Sequence, residues 1–427
     1  MLLNNIWIAF FLISFVVALV RTLGYFLHAH WGWFEGLSFS LADRNVFFEL
    51  VQSTFAMSKT SVEISIYLIG VMTLWLGIMK IGEKGGAVSA LSKATSPLFT
   101  RIFPEIPKNH PAMGAMLMNI CANMLGLDNA ATPLGLKAMK ELQSINPEKE
   151  KASNAQILFL VLNTSGLTII PISIMAVRLG AGAANPSDVF LPLLLSTYFA
   201  TLGGLIIVSI FQKINLFQPV ILLYLGGFTA FILGLIAILK SMSQSQVEAF
   251  ATVSGNFLLF SIIIIFFLLA NRRKINLYET FIEGAKEGFG VAIKIIPYLV
   301  AMLVAIGVFR ASGAMDFVVN AIGGFFKMLG LNTDFVPALP TAIMRPLSGS
   351  GARGLMIETM TNYGPDSFPG RLSCILQGTT ETTFYTVAVY YGAIGIKKTR
   401  YTIGCGLFAD LVGAVAAIFM AYLFFGS

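Results

Sequence analysis

Nine apolar stretches dominate the chain, near residues 2–20, 62–80, 154–177, 189–211, 218–239, 248–270, 291–309, 372–392 and 402–425. Each is about 20 residues long, enough for an α-helix to cross the hydrocarbon core with every backbone hydrogen bond closed internally. Only 11% of the 427 residues are charged and 56% are hydrophobic. Soluble domains carry about 25% charge, so a soluble globular fold is excluded, as are a disordered chain, a collagen and a coiled coil. The expected fold is an all-α polytopic membrane protein. The first stretch has no basic residue ahead of it and no small-residue cleavage site behind it, and reads as a retained helix rather than a signal peptide. Cys121, Cys374 and Cys405 lie in or beside apolar segments and form no disulfide framework or zinc spacing.

Two long regions between spans, 81–153 and 310–371, contain the half-length apolar runs Pro111–Leu127 and Phe335–Leu347. Each run is too short to cross and is broken by Pro, Gly, Ser or Asn. Such segments are expected to be re-entrant helical hairpins, which survive at membrane depth only where they line a protein cavity. About nine transmembrane helices and two re-entrant hairpins result.

The chain also repeats itself. Residues 47–80 align with 277–310, matching Glu49 to Glu279, Met72 to Met302 and Gly77 to Gly307. Pro111, Ala112 and Met118 match Pro337, Ala338 and Met344, and Asn163-Thr164-Ser165-Gly166 corresponds to Thr379-Thr380-Glu381-Thr382. Each half reads as span, amphipathic helix, span, re-entrant hairpin, span, span. Four crossings would return the second copy to the starting side, so the additional span 218–239 inverts it. The expected organisation is a first repeat over 1–217, a connecting helix and short loop over 218–247, and a second repeat over 248–427, related by inverted topology. With the N-terminus in the cytoplasm, inside loops hold 17 Lys and Arg against ten outside, the bias expected of a bacterial inner-membrane protein. The first hairpin then enters from the cytoplasm and the second from outside. The formal charge of +7 fits basic cytoplasmic loops better than nucleic-acid binding.

Polar groups at membrane depth are costly and are functional candidates by default. Asn119, Asn123, Asp128 and Asn129 crowd the first hairpin, where Asp128 or Asn129 can cap a second arm restarted by Thr132-Pro133. They contact a cavity or merely satisfy backbone at the tip. Arg345, Ser348, Ser350 and Arg353 crowd the second. Small residues there expose backbone N–H groups between two guanidinium groups, a composition suited to an anion; the alternative is an arginine paired internally with Glu358 or Glu381. Gln377, Thr379, Thr380 and Glu381 interrupt an apolar span, and Asn163, Thr164 and Ser165 are their uncharged counterpart. Glu381 is either an ion-coupling carboxylate or half of an internal salt bridge. Asp410 reads as a helix–helix hydrogen-bonding group. His28 and His30 with Glu35 form a wet loop rather than a metal site, and no catalytic triad, HExxH or nucleotide-binding loop is present. No enzymatic role is expected.

At these clusters the chain resembles the spore maturation proteins A and B joined in one polypeptide. The first half, from Asn119-Ile-Cys-Ala-Asn123 through Asp128-Asn129-Ala-Ala-Thr132-Pro133 to Asn163-Thr164-Ser165, is similar to the A protein. The second half, with Arg345-Pro346-Leu-Ser-Gly-Ser-Gly-Ala-Arg353 and Gln377-Gly-Thr-Thr-Glu381-Thr-Thr-Phe-Tyr385, is similar to the B protein. The resemblance implies the nucleoside recognition or Gate domain, shared with concentrative nucleoside transporters and the membrane part of ferrous iron transporters. It is a fold-level analogy and does not establish nucleoside binding. The function expected is secondary transport, elevator-like, of a small polar, anionic or zwitterionic solute. Asn119, Asn123, Asp128, Asn129, Asn163, Thr164 and Ser165 would meet Arg345, Ser348, Ser350, Arg353, Gln377, Thr379, Thr380 and Glu381 around one site. Glu381 or Asp128 would couple a sodium ion or proton, and no other cofactor is expected. The partners are the solute, the bilayer and other copies in a homo-oligomer, with no nucleic acid. The rival is a non-transporting membrane scaffold or signalling protein that docks a partner on residues 134–153.

Overall fold

The computed structural model describes residues 2–31, 39–107, 110–126 and 128–426, with side chains described except at 2–3, 28–31 and 128–130. His28, His30, Glu35 and the side chains of Asp128 and Asn129 therefore lie outside the described residues. In chain order the helices are α1 (Leu2–Trp31), α2 (Leu41–Gly85), α3 (Ala87–Ile102), α4 (Pro111–Met124), α5 (Asp128–Ser144), α6 (Asn154–Thr164), α7 (Ile172–Gly180) and α8 (Phe190–Gln212). They continue with α9 (Pro219–Lys240), α10 (Gln244–Arg272), α11 (Leu277–Ala311), α12 (Ala314–Met328), α13 (Leu339–Met344), α14 (Gly349–Tyr363), α15 (Phe368–Thr379), α16 (Thr383–Gly392) and α17 (Thr402–Phe425). Among the described residues there is no β-strand, and seven helices (α1, α2, α8, α9, α10, α11 and α17) are long and apolar enough to cross a membrane.

The other two expected spans are discontinuous. The stretch 154–177 is α6 and α7 separated by extended chain, and 372–392 is α15 and α16 separated at Thr380, whose φ of −135° and ψ of 172° are extended. The causes are local. At the end of α6, Asn163, Thr164 and Ser165 turn their side chains back onto the carbonyls of Phe159 and Val161, and Pro171 cannot donate into a continuing helix. Thr379 likewise bonds the Ile375 carbonyl at 2.6 Å.

A departure from expectation concerns the amphipathic segments. They do not stand apart before the spans 62–80 and 291–309. They are continuous with them in α2, 45 residues long, and α11, 35 residues long. The separate amphipathic helices come afterwards, as α3 and α12. Gly86 (φ 87°) and Gly313 (φ 89°) make these two joints in the left-handed conformation that only glycine adopts without strain.

α2 and α11 form the most extensive helix pair of the molecule. Their backbones touch because glycines stand at the crossing: a Cβ on Gly284 would lie 2.3 Å from the Leu76 carbonyl oxygen, and one on Gly288 2.4 Å from that of Met72. This is how helices associate where apolar burial gives no preference over lipid. α4 packs on α5 and α13 on α14, two helix–turn–helix pairs, while α8 packs on α17 in the interior. The most apolar window of α8 is 61% buried, against 11% in α1, 17% in α9 and 22% in α10. These last three carry much of the exposed apolar surface, including Phe15, Val20, Phe231, Phe257 and Phe260, which in a membrane faces lipid.

Candidate functional site

The tips of both helix–turn–helix pairs and both helix breaks meet at one place, and main-chain hydrogen bonds tie them. Ile169 N–H in the first break donates to the Met124 carbonyl at the end of α4, 2.7 Å away. In the second half, Phe384 N–H donates to the Pro346 carbonyl at 3.1 Å. The two breaks are joined by Glu381 N–H donating to the Thr164 carbonyl at 2.7 Å. Backbone groups freed by the unwound segments are thus satisfied by one another, as a dry environment requires. α6 packs on α16 and α7 on α15, so the two broken helices run side by side in opposite directions.

A cavity of about 300 Å³ opens at this junction. Of the residues expected from the sequence, Asn123, Asn163, Arg345, Arg353, Gln377 and Glu381 line it. Asn123 Nδ2 donates to Asn163 Oδ1 at 2.8 Å, tying the first tip to the first break. Arg345 bridges in the second half: Nε donates to the Thr380 carbonyl at 2.6 Å and Nη2 lies 3.2 Å from Glu381 Oε2. Of the pairings left open for the arginines, Arg345 therefore takes Glu381. Glu358 is instead held by Arg310, which also reaches Asp316 at 3.0 Å. The Glu381 side chain remains 57% exposed, toward the cavity it lines. Gln377 donates to the Gly349 carbonyl at 3.3 Å and leaves its buried Oε1 without a hydrogen bond.

The remaining expected residues stand behind the lining. Asn119 is fully buried and donates to the Ala131 carbonyl at 2.8 Å, bracing α4 against α5. Thr164, Ser165 and Thr379 are occupied as helix terminators, and Thr380 contributes its carbonyl to Arg345. Ser348 caps α14 by accepting the Gly351 N–H at 3.0 Å, which uses one of the amides expected to be free for an anion. Ser350 lines a different, more open hollow with Trp7, Tyr298 and Met302.

The sequence reading left several lining groups without a role at the site, although Thr132, Tyr385 and Thr386 lay within its polar clusters. Tyr385, Thr386 and Tyr390 come from α16, and Thr132 and Ser173 from the first half. The signal for the α16 set was present: with Glu381 and Val389 they recur at the spacing of one helix face. Met72, Leu76 and Val291 of the long pair close the wall, and no property of those residues alone marks them.

Beyond the helix breaks the halves clasp each other twice. At one end, residues 145–153 dock on 393–401: Ala152 N–H donates to the Lys398 carbonyl at 3.0 Å, Lys398 N–H to that of Glu150 at 3.0 Å, and Lys397 pairs with Glu150 at 2.6 Å. At the other, Arg178, fully buried, lies 2.8 Å from Asp188 and 3.0 Å from Asp366, and Arg371 reaches Asp188 at 2.7 Å.

The Gate family, described as nucleoside recognition, matches residues 65–181 and 292–397. In each half this takes in the end of a long helix, a helix–turn–helix pair and a broken helix. The chain is 49% identical over 155 residues to spore maturation protein B of Bacillus subtilis (strain 168), covering 36% of this chain and 85% of that protein. It is 41% identical over 156 residues to spore maturation protein A of the same organism, covering 36% of this chain and 80% of that protein. With two broken helices and two helix pairs around a polar cavity, this multi-pass helical membrane protein belongs to the Gate family, among the spore maturation A and B proteins.

Proposed function

We propose that the protein is an ion-coupled secondary transporter of a small polar, anionic or zwitterionic solute across the bacterial inner membrane, with its N-terminus in the cytoplasm. The observation that carries this reading is the single cavity bounded by both helix–turn–helix tips and both helix breaks. Discontinuous helices meeting around a site are how membrane carriers present backbone and side-chain polarity to a solute. Among the described residues two arginines and one glutamate line it, a balance that favours a negative or zwitterionic guest.

The two helix pairs act here as re-entrant hairpins inserted from opposite faces, and the halves as inverted repeats. The antiparallel broken helices support this, as do the clasps. The loop before the broken helix of each half docks on the loop after that of the other half, at opposite ends of the molecule. The halves are not in equivalent positions: α2 packs on α7, whereas α11 packs on α14. Exchange of these contacts between the halves would move the cavity from one face to the other, carrying the hairpins past a frame of α1, α9 and α10. The rival scaffold reading placed a partner on residues 134–153. In that segment Glu150 pairs with Lys397 of the other half, Lys151 with Glu148, and Lys149 donates to the Gln143 carbonyl.

The test is uptake into proteoliposomes of labelled amino acids, small carboxylates and nucleosides under an imposed sodium or proton gradient. Accumulation of an anion or zwitterion is expected, abolished by Arg345→Ala and by Glu381→Gln in protein that remains monodisperse. Unchanged uptake in both variants removes this pair from the mechanism. Absence of uptake across the panel, with the cellular phenotype intact in both variants, returns the protein to the scaffold reading.

A further inference from the structure

We infer that Asp410 is a proton-binding site behind the second helix break, and that it carries the coupling ion of the transport proposed above, on which this second step rests. The sequence reading assigned coupling to Glu381 or Asp128. Glu381 is compensated by Arg345, and the Asp128 side chain lies outside the described residues. Asp410 is placed differently. It sits in α17 between Gly406 and Gly413, which bring that helix against the break. A Cβ on Gly406 would lie 2.7 Å from the Thr383 methyl, and one on Gly413 2.8 Å from that of Thr379 and 3.0 Å from that of Thr380.

At this depth Asp410 is only 9% exposed. Its Oδ2 accepts a hydrogen bond from Thr383 Oγ1 at 2.7 Å, the Thr380 hydroxyl also interacts with the carboxylate, and its Oδ1 has no close hydrogen-bond partner. No lysine, arginine or histidine among the described residues forms an ion pair with it. The helices packed on α17 offer little else. α6 and α8 contain no charged residue. Arg371 of α15 is engaged by Asp188, and Glu248 and Arg272 stand near the two ends of α10. Tyr385, Tyr390 and Tyr391 come from α16, and the Tyr391 hydroxyl is bonded to Thr402 at 2.7 Å. Arg345 and Glu381, at the same helix break, oppose each other.

Two threonine hydroxyls and the N-terminus of a ten-residue helix do not compensate a carboxylate removed from water. A proton taken from water onto the free Oδ1 converts the group to a neutral acid and leaves the Thr383 bond in place. Thr383 opens α16, the helix that presents Tyr385 and Tyr390 to the cavity and follows directly on Glu381. The charged form grips Thr383 more strongly than the neutral form, so the proton sets how firmly α16 is held against α17. Protonation at Asp410 and the state of the cavity are thereby linked without the solute touching Asp410.

Infrared titration of the purified protein, with no solute added, reads this directly. A carboxylic-acid C=O band is expected to fade from mildly acid to mildly alkaline pH, to be absent in Asp410→Asn, and to persist in Glu381→Gln. Thr383→Val keeps the carboxyl group but removes a donor that favours its charged form. The band should then survive to a pH higher by about one unit or more. A titration identical in wild type and Asp410→Asn overturns the proposal, as does one unmoved by Thr383→Val. Loss of the band on adding sodium chloride, but not potassium chloride, at fixed pH would replace the proton by a sodium ion and also overturn it. Because no solute is present, the band with no uptake removes transport and keeps the site. Uptake without the band does the reverse.

Discussion

Arg345 concentrates several demands in one side chain. Its fork reaches the Thr380 carbonyl and the Glu381 carboxylate at once, so a lysine, with a single ammonium, cannot serve both. Arg345→Lys should therefore retain folding but weaken solute affinity about tenfold, equivalent to about 1.4 kcal/mol, measurable from the concentration dependence of uptake. The fully buried Arg178 raises a different question, one of stability. Arg178→Ala leaves Asp366, 34% exposed, without its guanidinium partner and the buried Asp188 with Arg371 alone. A loss of about 3 kcal/mol or more is expected, read as a lowered unfolding temperature in detergent. The double variant Arg178→Ala/Asp366→Ala should lose less than the two single losses added together, because the orphaned charge is removed as well.

At the scale of elements, the crossing of α2 and α11 is the least forgiving contact. Gly288→Ala would press a methyl group onto the Met72 carbonyl oxygen, a backbone atom that cannot rotate away. The helices must separate, at a cost of about 1–3 kcal/mol, and thermal unfolding should report it. Gly290, on the same helix with open space around it, is the control, and its alanine variant should unfold no earlier than wild type. The paired left-handed joints at Gly86 and Gly313 belong to the same scale. Each lets a long helix turn into an amphipathic one without a loop, so α3 and α12 are not set apart in the sequence within the regions 81–153 and 310–371.

For the whole molecule, the two clasps join the halves at opposite ends, so both hairpins should travel as one body. A disulfide between Lys151→Cys and Lys398→Cys, bridge partners in neighbouring main chains, should leave uptake intact under oxidation. The three native cysteines are buried and give little background. Loss of uptake on oxidation, restored by reduction, would mean that the halves move against each other at this clasp instead.

The order of long helices, broken helices and helix pairs was legible in the amino-acid sequence because each is written locally. Apolar length marks a span, and Asn163-Thr164-Ser165 followed by Pro171, or a run of threonines around Glu381, marks where a helix cannot continue. The continuity of α2 was not legible, since an amphipathic stretch and a span share one helical period and nothing between them breaks it. Which polar groups share the cavity, and which carboxylate lacks a counter-charge, was decided only by the tertiary structure. Arg345 meets Glu381 and not Glu358, and Asp410 meets Thr383, because of how helices distant in the chain cross. That crossing depends on glycine contacts and paired main-chain groups spread over both halves, which no local pattern encodes.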